Sequence, residues 1–235
     1  MKRNIIFILL FSLLFTLGCK KECEVKILTI SDFDSALYAY YPFNNSLNDI
    51  GPLNLNGSNN GASFTFDRNS SNNSALQFNG ASYVSLPDQF DLEERSICFW
   101  FKVNSITGTN KCLLSYHHLG LKYGATNIVV ANRNGIDGVG IDNQALGVST
   151  FDRLSNPTSW HHIVVASSKN TIRTYLDGLL VYAQLKEAYS QPNIGASELL
   201  LGTAYNLTQQ ITGSIDELRV YNRLLSEEEI AVLVK

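Results

Sequence analysis

The chain has 235 residues, 45% of them hydrophobic and 17% charged, with a formal net charge of −3. The charged share is below the ~25% usual for globular domains, and Asn, Ser and Thr supply the missing polarity, a mix that favours strands and turns over long surface helices. A mildly acidic chain without a Lys/Arg cluster has no electrostatic basis for binding nucleic acid, and its length suits one all-β domain without a second core.

In chain order, Lys2 and Arg3 precede an apolar run from Ile5 to Leu17, which ends at Gly18-Cys19. A basic start and a short apolar stretch make an export signal; the run is too short for a spanning helix of ~20 residues. The stretch "TLGCKKECE" resembles the cleavage site of bacterial lipoproteins, although Thr16 and Leu17 stand where such sites usually carry Leu and a small residue. That resemblance implies removal of residues 1–18, a lipid on Cys19 and a membrane anchor through it. It places the protein in the bacterial cell envelope as an outer-membrane lipoprotein. Glu22 and Glu24 resemble the surface-export signals of some such lipoproteins. Loss of residues 1–18 removes two cations and no acid, which takes the charge to −5. Residues 19–35 read as a tether and 36–235 as the domain.

From there the chain is a series of strand-length apolar stretches between Gly, Asn, Asp, Ser and Pro: "LYAYYPF", "ALQFNG", "SYVSLP", "SICFWFKV", "KCLLSYH", "NIVVANRNG", "IVVASS", "TIRTYLDG", "LLVYA", "ELLLGTA" and "SIDELRVYN". Strands with turn signals every 8–12 residues predict a sandwich or barrel. Asn134-Gly135 and Asp177-Gly178 each suit a two-residue hairpin turn. At the end, "LLSEEEIAVLVK" predicts a short helix with Ser226 as N-cap, Glu229 completing a capping box and acids in the first turn. Cys98 and Cys112 sit in successive strand-like segments, where they either bridge across a hairpin or remain buried thiols. No Cys/His spacing suggests zinc.

Four blocks then carry a resemblance, in order: "YAYYPFNNSLNDIGPLNLNG", "ALQFNGASYVSLP", "SICFWFKV" with "WHHIVVASSKNTIRTYLDGLLV", and "LLLGTAYNLTQQITGSIDELRVYNRLLSEEEI". The chain resembles the laminin-G-like jelly-roll domains of the concanavalin A-like lectin/glucanase superfamily over residues 38–233. The resemblance implies an all-β, two-sheet antiparallel jelly-roll sandwich with a short C-terminal helix. It implies a module that binds carbohydrate or, as the alternative, an envelope or extracellular protein. It also raises calcium, for which Asp216, Asp49, Asn48 and Asn45 are the ligand types.

Retaining glucanases of the superfamily carry an E-x-D-x-E or E-x-D-x-x-E strand, which brings two carboxyls within ~5–5.5 Å. The sequence has none, so no hydrolase is expected; a divergent glycoside hydrolase, with acids converging from separate strands, is the least favoured reading. The acids of "IDELRV" are adjacent and, in a regular strand, face opposite ways. The same alternation separates His161 from His162, and Trp160 reads as a core anchor. Loop residues with sugar-binding chemistry are Tyr116, His118, Tyr123, Asn132, Arg133, Asn143 and Tyr205.

Overall fold

The computed structural model describes residues 28–106, 110–116, 126–143, 148–149, 151–185 and 198–235. After two 3-10 turns over 30–36, the described chain forms β1 (Leu37–Tyr41), β2 (Ser58–Asn60), β3 (Ser63–Thr65), β4 (Ala75–Asn79), β5 (Tyr83–Leu86), β6 (Arg95–Val103), β7 (Lys111–Tyr116) and β8 (Thr126–Arg133). It continues with β9 (Ile136–Asn143), β10 (Val148–Ser149), β11 (Asp152–Arg153), β12 (His161–Ser167), β13 (Thr171–Leu176), β14 (Leu179–Leu185), β15 (Leu199–Leu201), β16 (Thr212–Tyr221) and the helix α1 (Glu227–Leu233).

The strands make two eight-stranded antiparallel sheets, the jelly-roll sandwich the sequence predicts. The first runs β14-β13-β12-β6-β16-β4-β3, with β1 joining β16 beyond the stretch paired to β4. The second runs β10-β9-β8-β7-β15-β5-β2, and β11 pairs with β9. Alternation explains the burial. Ile97, Phe99, Phe101 and Val103 of β6 point between the sheets with Ile163 and Val165 of β12, and meet Leu114, Ile128, Val130, Val139 and Ile141 of the second sheet in one cluster. The alternate residues Cys98, Val164, Ala166, Tyr175 and Tyr221 point outward and are covered by Leu225, Ile230 and Leu233 of the C-terminal segment.

Both expected hairpin turns form, with positive φ at Asn134 (54°) and Gly135 (81°), and at Asp177 (50°) and Gly178 (82°). The helix begins with the expected capping box: Glu229 N donates to Ser226 Oγ, and Ser226 N donates to Glu229 Oε2.

Two sequence expectations need correction here, and one alternative that the sequence left open is decided. The stretch 28–35 is not tether. Phe33 is 1% exposed and packs on Tyr221 under the helix, so the domain starts earlier than residue 36. Cys98 and Cys112 do not bridge, because β6 and β7 belong to opposite sheets and both thiols lie on outer faces. Cys98 Sγ meets the Arg219 carbonyl, and Cys112 packs with Val129 and Ala204; sheets stack ~10 Å apart, beyond disulfide reach. Tyr116, expected in a ligand loop, is 0% exposed. Its hydroxyl donates to Asp88 Oδ1 (2.8 Å) and accepts from Phe90 N (3.2 Å), and the buried Arg95 guanidinium covers its ring.

Close backbone approach makes one testable point. At Gly213 an added Cβ would stand 2.3 Å from the Lys102 carbonyl oxygen and 2.9 Å from Val103 Cα, both in the central strand β6. Gly213→Ala is expected to lower stability by about 1–3 kcal/mol, the cost of overpacking, measured by urea unfolding; a wild-type midpoint would show that β6 and β16 are not rigidly registered there.

Candidate functional site

Two polar regions are built by different parts of the sandwich. The first is a row across the outer face of the first sheet. Asp216 of β16, Trp100 of β6 and His162 of β12 are cross-strand neighbours, and Arg68, from the loop between β3 and β4, reaches over them. Arg68 Nη1 is 3.1 Å from Asp216 Oδ2, and its guanidinium lies 4.9 Å from the centre of the Trp100 ring. The same ring meets His162, with centroids 5.1 Å apart.

Burial governs the chemistry of this row. Desolvation pushes the Asp216 carboxyl up to about 7, helped by Glu217 and opposed by Arg68. Desolvation also pulls His162 down to about 3, with Arg219 acting in the same direction. Asp216 Oδ1 and His162 Nδ1 are both buried without a hydrogen-bond partner. Asp216 and Glu217 do not face opposite ways as adjacent strand residues would. Glu217 has φ 55° at a register shift, and this bulge leaves it on the outer side, where it accepts from Tyr40 Oη and pairs with Arg219 at 2.6 Å. The Asp216 side chain is only 2% exposed.

The two histidines part as alternation requires. His161 stands beside Phe101 at the end of the core, with Nδ1 2.8 Å from Asp177 Oδ2 and Nε2 3.2 Å from the Asn156 carbonyl. Two acceptors facing one ring favour the imidazolium, and the hydrogen bond to Asp177 leads in raising its pKa. Desolvation works to raise Asp177, but the hydrogen bonds from His161 and from His162 N outweigh it and the carboxyl is lowered. The trio therefore ties the β13–β14 turn to the 154–159 loop. Trp160 is half-buried rather than a core anchor, because alternation places it on the outer face with His162; Lys102 Nζ lies 4.9 Å from its ring centre.

The second region is a cleft at one lateral edge of the sandwich. Val139 and Gly140 of β9, Phe151, Asp152 of β11, Thr174 of β13, and Val181 and Tyr182 of β14 enclose about 260 Å³. Edge strands of the two sheets diverge here, so side chains that would close a core instead line an opening. The Phe151 ring sits where a Cβ on Gly138 would be (2.3 Å), and the Arg133 guanidinium covers it at 4.6 Å. Beside it, the β8–β9 turn and the segment 153–157 enclose a second hollow of about 300 Å³ that includes Asp137 and Arg153.

Of the ligand residues expected from sequence, Arg133 reaches the cleft through Phe151. Asn132 is engaged within its own hairpin, donating to Asp137 Oδ1 and accepting from Gly135 N. Tyr205 is half-buried in the loop after β15 and does not line the cleft. Asn143 ends β9, with its side chain outside the described residues, and His118, Tyr123 and Cys19 lie outside them altogether. Phe151, Thr174 and Tyr182 were missed; only their placement on edge elements, invisible in a single sequence, marks them out.

The calcium candidates on the opening loop have these surroundings. Asp49 is buried and uses both oxygens on its own loop, accepting from Tyr40 N and Gly51 N at Oδ1 (2.7 Å each) and from Leu55 N at Oδ2 (2.8 Å). Asn45 has φ 51° and its backbone N donates to the Asn73 carbonyl, while Asn48 is exposed. Among the described residues no three His, Cys, Asp or Glu side chains are grouped as they would be around an ion.

Residues 78–231 match the family model Laminin_G_3, described as the concanavalin A-like lectin/glucanases superfamily. No curated protein matches the chain in sequence. Among solved structures, the chain is similar to domain 4 of AbnA, a GH43 extracellular arabinanase from Geobacillus stearothermophilus, in complex with arabinotriose (20% identity, 85% of this chain and 98% of that one, TM-score 0.55). It is also similar to botulinum neurotoxin type C, whose cell entry depends on interaction with two ganglioside molecules (12%, 88% and 52%, 0.63), and to the serotype D binding domain (14%, 86% and 52%, 0.61). The chain spans about half the length of the neurotoxin chains, and at these identities the likeness is one of fold.

The outer row yields a pH prediction. A carboxyl raised in the folded state binds its proton there first, so its contribution is full below the unfolded value of ~3.9 and is lost as pH rises through about 7. The stability of the wild type minus that of Asp216→Asn is expected to fall between pH 4.5 and 8, read from urea midpoints. A difference that grows with pH would mean that the Arg68 ion pair outweighs desolvation.

Proposed function

The chain belongs to the concanavalin A-like lectin/glucanase superfamily, and we propose that it acts there as a non-catalytic carbohydrate-binding module whose ligand enters the edge cleft. The cleft itself carries the reading. Sugars present apolar C–H faces between hydroxyl groups, and the cleft offers two aromatic side chains, Phe151 and Tyr182, with the Asp152 carboxylate beside them. A neighbour of the same fold is seen with arabinotriose, which supports a sugar ligand. On the outer face, the buried state of Asp216 and the engagement of Glu217 with Tyr40 and Arg219 favour binding over hydrolysis. The lipid on Cys19 holds the module at the envelope, where it captures polysaccharide near the cell.

A protein partner is the second reading. It is favoured by the edge strand β14, on which Leu179 (72%), Leu180 (47%) and Leu185 (74%) are exposed. An apolar edge strand is a template for pairing with another chain.

The glycan reading is tested on an array of plant and microbial oligosaccharides, with calcium and then with chelator. Binding is expected in both conditions, with Phe151→Ala or Tyr182→Ala weakening it at least about ten-fold, the loss of one stacking contact of ~1.5 kcal/mol. A silent array together with capture of an envelope protein, lost on Leu179→Lys, would favour the second reading. For the anchor, metabolic labelling with palmitate is expected to mark the wild type and not Cys19→Ala; equal labelling of both would remove Cys19 as the lipid site.

A further inference from the structure

We propose that His161 is a proton-operated clamp on the edge cleft: as the imidazolium it bonds the two walls together, and loss of its proton lets them part and weakens the hold on a sugar between them. The proposal rests on the carbohydrate reading of the same cleft and adds how the width of that cleft is set.

The walls belong to different sheets. One is the stretch 151–156, fixed to the second sheet where β11 pairs with β9 and where Leu154 N donates to the Asp137 carbonyl. Its far end stays with β6, because the Pro157 carbonyl accepts from Val103 N. The other wall is the β13–β14 hairpin, which contributes Thr174, Val181 and Tyr182 and turns at Asp177-Gly178. His161 opens β12 and reaches both. Its Nδ1 is 2.8 Å from Asp177 Oδ2, in the turn just beyond Thr174. Its Nε2 is 3.2 Å from the Asn156 carbonyl, on the stretch that carries Phe151 and Asp152.

The clamp needs the charged ring. Both nitrogens face acceptors, and only the imidazolium donates from both. Neutral imidazole has one N–H. With that donor on Asp177, the Nε2 lone pair is left against the Asn156 carbonyl, which also accepts from Ser159 N at 3.0 Å. The contact turns repulsive and the 151–156 wall is released. Asp177 is the charged side chain facing the ring, from the hairpin turn; the loop presents the Asn156 and Ser155 carbonyls, and β6 the Phe101 ring. The Asp177 hydrogen bond, against desolvation, holds the His161 pKa above its ordinary value. The His161 side chain is 9% exposed but that of Asp177 is 47% exposed, so protons reach the pair without opening the core. A base raised in the folded state contributes fully below the ordinary ~6.5 and loses that contribution as pH rises through the raised value. The clamp is therefore closed in mild acid and open in mild alkali.

The test is an NMR titration from about pH 5.5 to about 9 of wild type, His161→Gln and Asp177→Asn, following the His161 ring and the amides of residues 152–156, 174 and 181–182. In wild type the ring is expected to titrate above ~6.5, and the amides of both walls to move with the same midpoint. Asp177→Asn keeps an Asn-Gly hairpin turn and is expected to lower that midpoint, while the wall amides of His161→Gln are expected not to show it. Arabinotriose, xylotriose and mannotriose are then titrated calorimetrically on either side of the midpoint. A trisaccharide that binds is expected to weaken about five-fold or more on the alkaline side in wild type, the lower end of ordinary coupling between sites, and to bind His161→Gln equally on both. A ring that titrates while the wall amides stay still, or a midpoint unmoved in Asp177→Asn, would overturn the clamp. Wall movement with unchanged sugar affinity would overturn its control of binding. Failure of all three sugars to bind would overturn the carbohydrate reading, and the amide titration, which needs no sugar, decides the clamp separately.

Discussion

Apolar contact between the inner faces of the sheets, with Phe99, Phe101, Ile215 and Leu218 on one side and Leu114, Ile128 and Val139 on the other, is what every other feature depends on. These side chains are essentially excluded from water, each contributing on the order of 1.5–3 kcal/mol by burial. A strand in such a sheet has only two directions for its side chains. Once the inner set is fixed, Trp100, His162 and Asp216 must stand outside, whatever desolvation that imposes. The outer face is then closed in two ways, by α1 over Cys98, Val164 and Tyr221, and by Arg68 over Trp100. The edge cleft is the complement of the same constraint, because the inner faces run out where β9 and β13–β14 part.

The charged groups inside this frame hold loops in place. Asp49 gathers three backbone N–H groups of the segment 40–55, and Asp177 joins His161 to the β13–β14 turn. Arg68 fastens the β3–β4 loop to the sheet. Each is an acid or base that, in a list of residue types, looks ready for metal binding or catalysis. Hydrogen-bond geometry gives each a structural partner instead. Among the described residues, Asp216 Oδ1 and His162 Nδ1 on the outer face are buried without a hydrogen-bond partner.

Much of the architecture was legible in the sequence, for definite reasons. Asn-Gly and Asp-Gly announce positive φ at Asn134 and Asp177, and Ser226 with Glu229 announces a helix start. The ordered blocks from Tyr38 to the final helix gave the jelly roll. What a single sequence does not show is strand order between sheets and local breaks in alternation. Cys98 and Cys112 are close in sequence and in strand succession, yet their strands lie in different sheets. Tyr116 looked like a loop residue because "SYHH" reads as a strand end, whereas its ring is inside. Asp216 and Glu217 escaped the alternation rule because one bulged residue resets it. The cleft was hidden for the same reason: Phe151, Thr174 and Tyr182 come from three elements that only the sheet edges bring together.

The central claim is that sugar enters between the sheet edges rather than over the sheet face. Amide chemical-shift mapping of the chain from residue 24 onward, titrated with an oligosaccharide that binds on the array, tests it most directly. The account predicts perturbations concentrated at residues 139–140, 151–152, 174 and 181–182. Perturbations centred on Trp100, Trp160 and Arg68, with the cleft silent, would contradict it.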